Sequence, residues 1–358
     1  RWLKNSLIFA SKLQNPVTAE KGNSAIVVAA SGPSLASSLP FLKKFRDSFF
    51  LIAVSSAFMP LSKHGIAPDM VMSSDGGYWA KKHLEILKKY PEIPILCSTE
   101  SALPFFIFQM NIIPLYYSDF IQNDLFEYFI SNSFNYKNHS VERNGTVTGT
   151  AINFALKFTE KKIFTVGMDL EKTLGFSHTM PNSLEAINSL CDNRIDTSEK
   201  RITKSNIFST SLSVYKNYFS TMSSNYATRI TRLCCKNNIL PDLGFIKTKL
   251  WTSEEIEQEM KTEMKKSKQS GKKEENKIRK IKINLNDNKK TEKVKKYLQE
   301  RIKIISSSEN LTEKNEEFFK TFALGKVLLY KKTKNQNDFF QAKEKTVSEL
   351  KKIAENIV

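Results

Sequence analysis

Between Arg1 and Leu13 the apolar residues Trp2, Leu3, Leu7 and Ile8 recur at helical spacing and predict a short helix with one apolar side. From Ala25 the pattern changes. Ala25 to Ala30 reads AIVVAA, a short and continuously apolar run of the kind that forms a strand covered on both faces. Similar runs at Phe50–Val54, Met70–Met72, Ile93–Cys97 and Lys162–Gly167 predict four more strands. Helical segments fall between them: one through Phe41 to Phe45, one closed by Gly65, one over Tyr78–Tyr90 and one over Ala151–Phe158. Strands alternating with helices through short connections predict an α/β fold, a Rossmann-like and mostly parallel sheet with helices on both faces. Ligands of such sheets bind beyond the carboxyl ends of the strands. Three segments meet on that edge: Ser31–Leu35, Ser73–Gly77 and Met168–His178.

After Trp251 the pattern breaks again. Glu254 to Asn288 has little apolar content and reads as a flexible linker or a highly charged helix. Three helices are then marked by Val294, Leu298 and Ile302, by Phe318, Phe319, Phe322, Leu324, Val327 and Leu328, and by Val347, Leu350, Ile353 and Ile357. The expected organisation is an N-terminal helical segment over 1–23, a Rossmann-like nucleotide-binding domain over 24–250 and a Lys-rich helical C-terminal appendage over 251–358.

Composition narrows the classes. Of 358 residues 40% are hydrophobic, enough for a sizeable core. The net charge is +18, and about half of the surplus follows Trp251. Lys alternates with Glu there, as on solvated helix faces, so no nucleic-acid partner is expected. Four cysteines without a Cys-x-x-Cys pair suit a reducing compartment and argue against a structural zinc site; no metal is assigned. No apolar stretch approaches the length of a transmembrane segment and no secretory signal opens the chain, so a cytoplasmic protein is expected. The chain starts at Arg1 rather than Met, and an upstream segment is expected to have been removed.

The candidate chemistry sits in four loops. In Ser31-Gly32-Pro33-Ser34-Leu35, Gly32 allows close approach of a ligand, Pro33 stiffens the turn and Ser34 can cap a helix whose N–H groups suit a phosphate. Taken alone it is an ordinary capped turn, and no Gly-Lys-Ser/Thr follows to make it a Walker loop. Ser73-Ser74-Asp75-Gly76-Gly77 supplies a carboxylate able to bind a ribose, ligate a metal or act as a base. Asn144-Gly145-Thr146 opens a helix with small residues and donors at its positive end. Gly167-Met168-Asp169-Leu170 and Gly175-Phe176-Ser177-His178 add a second carboxylate and a histidine suited to proton transfer. The other histidines, His64, His83 and His139, receive no role.

In this order the four loops, with Gly65-Ile66-Ala67-Pro68-Asp69 leading into the second, resemble the motility-associated factor (Maf) glycosyltransferases over roughly residues 1–250. The central domain of that family is grouped with an archaeal 6-hydroxymethylpterin pyrophosphokinase, and it is similar to bacterial sialyltransferases carrying a Gly-Pro-Ser loop. The resemblance implies transfer of a nonulosonic, sialic-acid-like sugar from a CMP-activated donor to Ser or Thr of flagellin, in support of motility. It would place Ser31, Gly32, Pro33, Ser34, Ser74, Asp75, Asn144, Gly145, Thr146 and Gly175 around the nucleotide sugar. Asp169 and His178 would lie nearer the reacting sugar, with Asp75, Asp169 and His178 the catalytic candidates. The CMP-sugar is the donor, flagellin the acceptor, and no further cofactor is implied. Downstream, near Asn225 to Gly244, the chain lacks the Gly-rich segment of the family pattern. Two other readings stay open: a pyrophosphokinase in which Asp75 and Asp169 hold magnesium and ATP replaces the CMP-sugar, and a non-catalytic nucleotide-binding scaffold.

Overall fold

The computed structural model describes residues 1–118, 121, 124–125, 128, 140–171, 175–207, 211–235, 240–269, 278–280 and 287–356. His139 and Ile357 lie outside the described residues. Among the described residues, eleven strands form one sheet: β1 (Asn15–Ala19), β2 (Ile26–Ala29), β3 (Phe50–Val54), β4 (Met70–Ser73), β5 (Ile95–Ser98), β6 (Asn111–Tyr117), β7 (Ser140–Val141), β8 (Ile163–Val166), β9 (Ile230–Cys234), β10 (Lys247–Leu250) and β11 (Ile278–Lys280). Their order is β10-β9-β8-β2-β3-β4-β5-β6-β1-β11, with β7 beside the end of β6. All pairings are parallel except β1 with β11. The α/β, mostly parallel fold read from the sequence is therefore the fold of the chain. β2, β4, β5 and β8 are buried at every position, which is why they read as unbroken apolar runs.

Chain order reverses at β2. Strands β3 to β6 run out to one side and β8 to β10 to the other, so the topological switch point lies between β2 and β8. The helices that matter for the site are α1 (Trp2–Lys12), α2 (Leu35–Lys44), α3 (Ser55–Lys63), α4 (Ala80–Leu84) and α5 (Val147–Phe158). The helix expected over Tyr78–Tyr90 is shorter, with α4 continuing as a 3-10 turn over Glu85–Lys89.

Four longer strands escape the apolar pattern, each for a physical reason. β1 reads NPVTA, and its first two residues make the pairing with β6. β6 carries Pro114, a residue that argues against a central strand. β9 contains Arg232, which is buried because Thr248 Oγ1 and the carbonyl oxygens of Pro241 and Met168 accept from its guanidinium. β10 lies beside β9 with three of its four residues exposed, and its lysines keep such a strand from pairing further.

The composition change at Trp251 does not mark an edge of the core. Trp251 is fully buried, stacked on Phe41 at 5.6 Å and on Phe45 at 6.4 Å between ring centroids. The charged stretch after it is a helix, Glu254–Gln269, whose Ile256 and Met260 join the same core. Helices Asp287–Ser306, Glu313–Thr333 and Gln336–Asn356 build a second core, which takes in Leu3 and Leu7 of α1 and Tyr116 of β6. Phe9 of α1 and Leu13 just after it belong to a third core with Phe58, Leu84 and Ile112. One short helix thus binds the sheet to the C-terminal helices, and Lys290 Nζ donates to the Leu13 carbonyl across that junction.

Candidate functional site

The crevice at the switch point is filled by the chain itself. The Ala30 N–H donates to Val166 O and the Gly32 N–H to Gly167 O, both at 2.8 Å. Gly167 has φ +66°, and a Cβ there would stand 2.3 Å from the Ala30 carbonyl, so the two strand ends can approach this closely only with glycine. The Asp169 carboxylate, buried, accepts from the Ser34 N–H at 2.8 Å and from the Ser34 hydroxyl. Thr179 closes the other side, its N–H donating to Ser31 O at 2.7 Å and its hydroxyl to Gly32 O at 2.5 Å. The start of α2 is therefore already held by a carboxylate of the protein.

The open space lies beside the switch point, over the ends of β2 to β7. A cavity of about 980 Å³ is walled by Ser31 after β2, by Val54, Ser55 and Ser56 at the junction of β3 and α3, and by Ser74, Asp75 and Gly76 after β4. Glu100, Tyr117 and the segment Arg143–Thr148 continue the wall, so α5 presents its N-terminal turn to the space. The first N–H groups of a helix have no partner within it and carry the positive end of its dipole. The Asn144 side chain shapes this entry: its Oδ1 accepts from the Thr146 N–H at 3.0 Å and its Nδ2 donates to Glu142 O at 3.2 Å. Arg143 makes a two-pronged pair with the buried Glu100, at 2.9 and 2.6 Å, while its guanidinium lies 4.3 Å from the centre of the Tyr117 ring.

Two imidazoles face the space together. His83 on α4 and His178 have ring centroids 6.2 Å apart, and both line the cavity. Burial first, and then the neighbouring His178, bring the pKa of His83 down to about 4, against an upward pull from Asp75. Burial also holds His178 below the ordinary imidazole range, with Glu185 pulling it up. Asp75 is exposed at the mouth and its Oδ1 accepts from the Gly77 N–H at 2.7 Å.

Elements from both ends of the chain complete the wall. Trp2 of α1 lies against Gly76, where a Cβ would stand 2.5 Å from the indole, and Asn5 donates to the Glu100 carbonyl at 2.8 Å. Glu317 and Thr321, from the helix Glu313–Thr333, close the far side. The helical C-terminal region thus contributes residues to the cavity wall.

Of the residues expected from sequence, Ser31, Ser74, Asp75, Asn144, Gly145, Thr146 and His178 meet at this cavity. Gly32, Pro33, Ser34, Asp169 and Gly175 are not on its wall. Two of these residues are engaged with each other. The Ser34 N–H, expected to meet a phosphate, already donates to Asp169, and Asp169, expected near the reacting sugar, is spent on Ser34. The reading from sequence missed Ser55, Ser56, His83, Glu100, Arg143 and Trp2. For Ser55 and Ser56 a signal existed, since they follow an apolar strand directly at its carboxyl end.

Residues 2–174 match the family model described as 6-hydroxymethylpterin diphosphokinase MptE-like. Those residues, a little under half of the chain, are similar to that family. The match ends near the Asp169 loop, so it takes in the cavity wall from Trp2 to Thr148 and leaves His178 and Glu317 outside. An uncharacterized protein of Treponema pallidum (strain Nichols) is 30% identical over 185 residues, which are 51% of this chain and 39% of that protein. A solved Maf glycosyltransferase from Magnetospirillum magneticum AMB-1 superposes with a TM-score of 0.52 at 11% identity, over 99% of this chain and 54% of that one. The chain spans well under half the length of the curated relative and about half of the solved structure. At that identity the likeness is one of fold alone.

Proposed function

We propose that the chain is a glycosyltransferase that moves a nonulosonic sugar from a CMP-activated donor to Ser or Thr of an acceptor protein, flagellin by the resemblance stated above. The observation that carries this reading is one cavity that gathers a helix N-terminus, a carboxylate and a pair of imidazoles. Its volume of about 980 Å³ is at the upper end of the roughly 300–1,000 Å³ of ligand sites, which suits a nucleotide joined to a nine-carbon sugar. The donor phosphate lies at the first turn of α5, where the N–H groups of Val147 and Thr148 and the helix dipole stabilise its charge. Asn144 and Thr146 hold that turn in place, while Ser31, Ser55, Ser56 and Ser74 supply hydroxyls along the nucleotide.

In the reaction the bond from the anomeric carbon to the phosphate oxygen breaks, and CMP departs with the electron pair. The acceptor hydroxyl oxygen bonds to the same carbon and gives its proton to a base. Since burial holds His178 below the ordinary imidazole range, it is unprotonated at neutral pH and serves as that base. Asp75 is the other candidate, from its place at the mouth. The wall formed by α1 and the helix Glu313–Thr333 limits the access of water. Flagellin coexpressed with the His178→Ala enzyme should lose the mass of its glycan in an intact-protein spectrum. Unchanged mass would remove His178 from the mechanism.

A second reading is favoured by the family match over residues 2–174: an ATP-dependent diphosphokinase. Its magnesium was expected between Asp75 and Asp169, and only Asp75 lines the cavity. A catalytically silent nucleotide-binding scaffold predicts CMP binding with no transfer, so the flagellin mass separates it from the enzyme.

A further inference from the structure

His83 has no part in the scheme above, yet it occupies the inner wall of the same cavity. Its side chain is buried, and its Nδ1 is sealed from solvent without a hydrogen-bond partner. Its Nε2 is not among the sealed atoms, and the ring borders the cavity 6.2 Å from that of His178. A buried polar side chain without a partner is uncommon in folded proteins and calls for an explanation. Protonation does not supply one, because it would place a charged N–H at Nδ1 with nothing to accept from it. The imidazole is therefore a neutral hydrogen-bonding group whose one usable edge is turned to the cavity.

Resting on the glycosyl-transfer reading, we propose that His83 is a ligand-contact residue whose Nε2 hydrogen-bonds a hydroxyl of the donor sugar, next to the acceptor hydroxyl that His178 deprotonates. A hydroxyl can donate or accept, so it satisfies Nε2 in either neutral tautomer. A phosphate or carboxylate would be better matched by a cation, and Arg143 and the α5 N-terminus already offer positive groups in the same space. The sugar portion, rich in hydroxyls and set beside the proton-accepting His178, is the part of the donor that fits.

The test compares His83→Phe, which keeps an aromatic ring of similar shape, with His83→Gln, which restores a neutral hydrogen-bonding group. Titrations of each variant and of the wild type use CMP and CMP-N-acetylneuraminic acid as probes. Loss of one neutral hydrogen bond in a buried site predicts sugar-nucleotide binding weakened roughly tenfold in His83→Phe, partial recovery in His83→Gln, and CMP binding within about twofold of wild type. Sugar-nucleotide binding by His83→Phe within about twofold of wild type would overturn the proposal and leave the glycosyl-transfer reading standing. Failure of the wild type to bind either probe would overturn that reading and this proposal with it. Ring ¹⁵N shifts of His83 in the wild type give a readout that needs no variant: they should move when the sugar nucleotide is added and not when CMP is. Ring shifts that stay fixed under both would overturn the proposal.

Discussion

Asp169 accepts from both donors of Ser34, and removing its carboxylate leaves two buried donors without an acceptor. Each such group costs about 1–3 kcal/mol, so Asp169→Ala should lower the melting temperature by several degrees, and Asp169→Asn by less because one acceptor oxygen remains. A melt of Asp169→Ala unchanged from wild type would contradict the structural role given to this carboxylate. At His83 the pKa falls from 6.5 in the unfolded chain to about 4 in the folded one. A depressed pKa means that the unfolded chain takes up a proton first as pH falls. Stability is thus complete above about 6.5 and declines toward 4. Between pH 7 and pH 5 the loss from this group is about 2 kcal/mol. Urea unfolding at the two pH values should show that loss diminished in His83→Phe, which has no imidazole to protonate. An equal loss in both proteins would show that other groups account for it.

The entry to α5 is the element on which the phosphate assignment depends. Asn144→Ala removes the acceptor for the Thr146 N–H and loosens the loop that leads into the helix. Loss of one hydrogen bond of this kind costs about 1 kcal/mol. The expected result is a modest drop in melting temperature together with several-fold weaker CMP binding in titration. Weaker folding with unchanged CMP binding would move the phosphate away from this helix. The same element shows what was legible in the sequence. Asn144-Gly145-Thr146 could be read because a helix start announces itself locally, through small residues and donors. The strands of the central sheet could be read because burial on both faces leaves unbroken apolar runs. Pro114 hid β6, and a buried Arg232 hid β9, because each contradicts the local pattern and is accommodated only by distant partners. His83 and the Arg143–Glu100 pair were silent for the same reason: their surroundings are assembled from separate parts of the chain. Asp169 was legible as a strand-end carboxylate, but the turn it holds shut is a contact across 135 residues.

Across the whole molecule, α1 joins the sheet to the C-terminal helices and those helices complete the cavity wall. Leu3 and Leu7 are buried against the second core, and Asp124 pairs with Arg301 at 2.9 Å and accepts from the Tyr297 hydroxyl at 2.5 Å. A chain ended after Gln269 would uncover Leu3 and Leu7 and open the side closed by Glu317 and Thr321. It should bind CMP at least about tenfold more weakly, a loss of about 1.4 kcal/mol, and expose apolar surface to a reporter dye. Full-strength binding by the shortened chain would mean that the C-terminal helices are dispensable for the site. The proposed function seats a nucleotide-activated donor in the cavity along β2 to β7, and titration calorimetry of the intact protein tests that directly. The account predicts that CMP and a CMP-activated nonulosonic sugar bind, the sugar nucleotide more tightly, and that ATP with magnesium does not compete. Binding of ATP with magnesium in preference to both would contradict it.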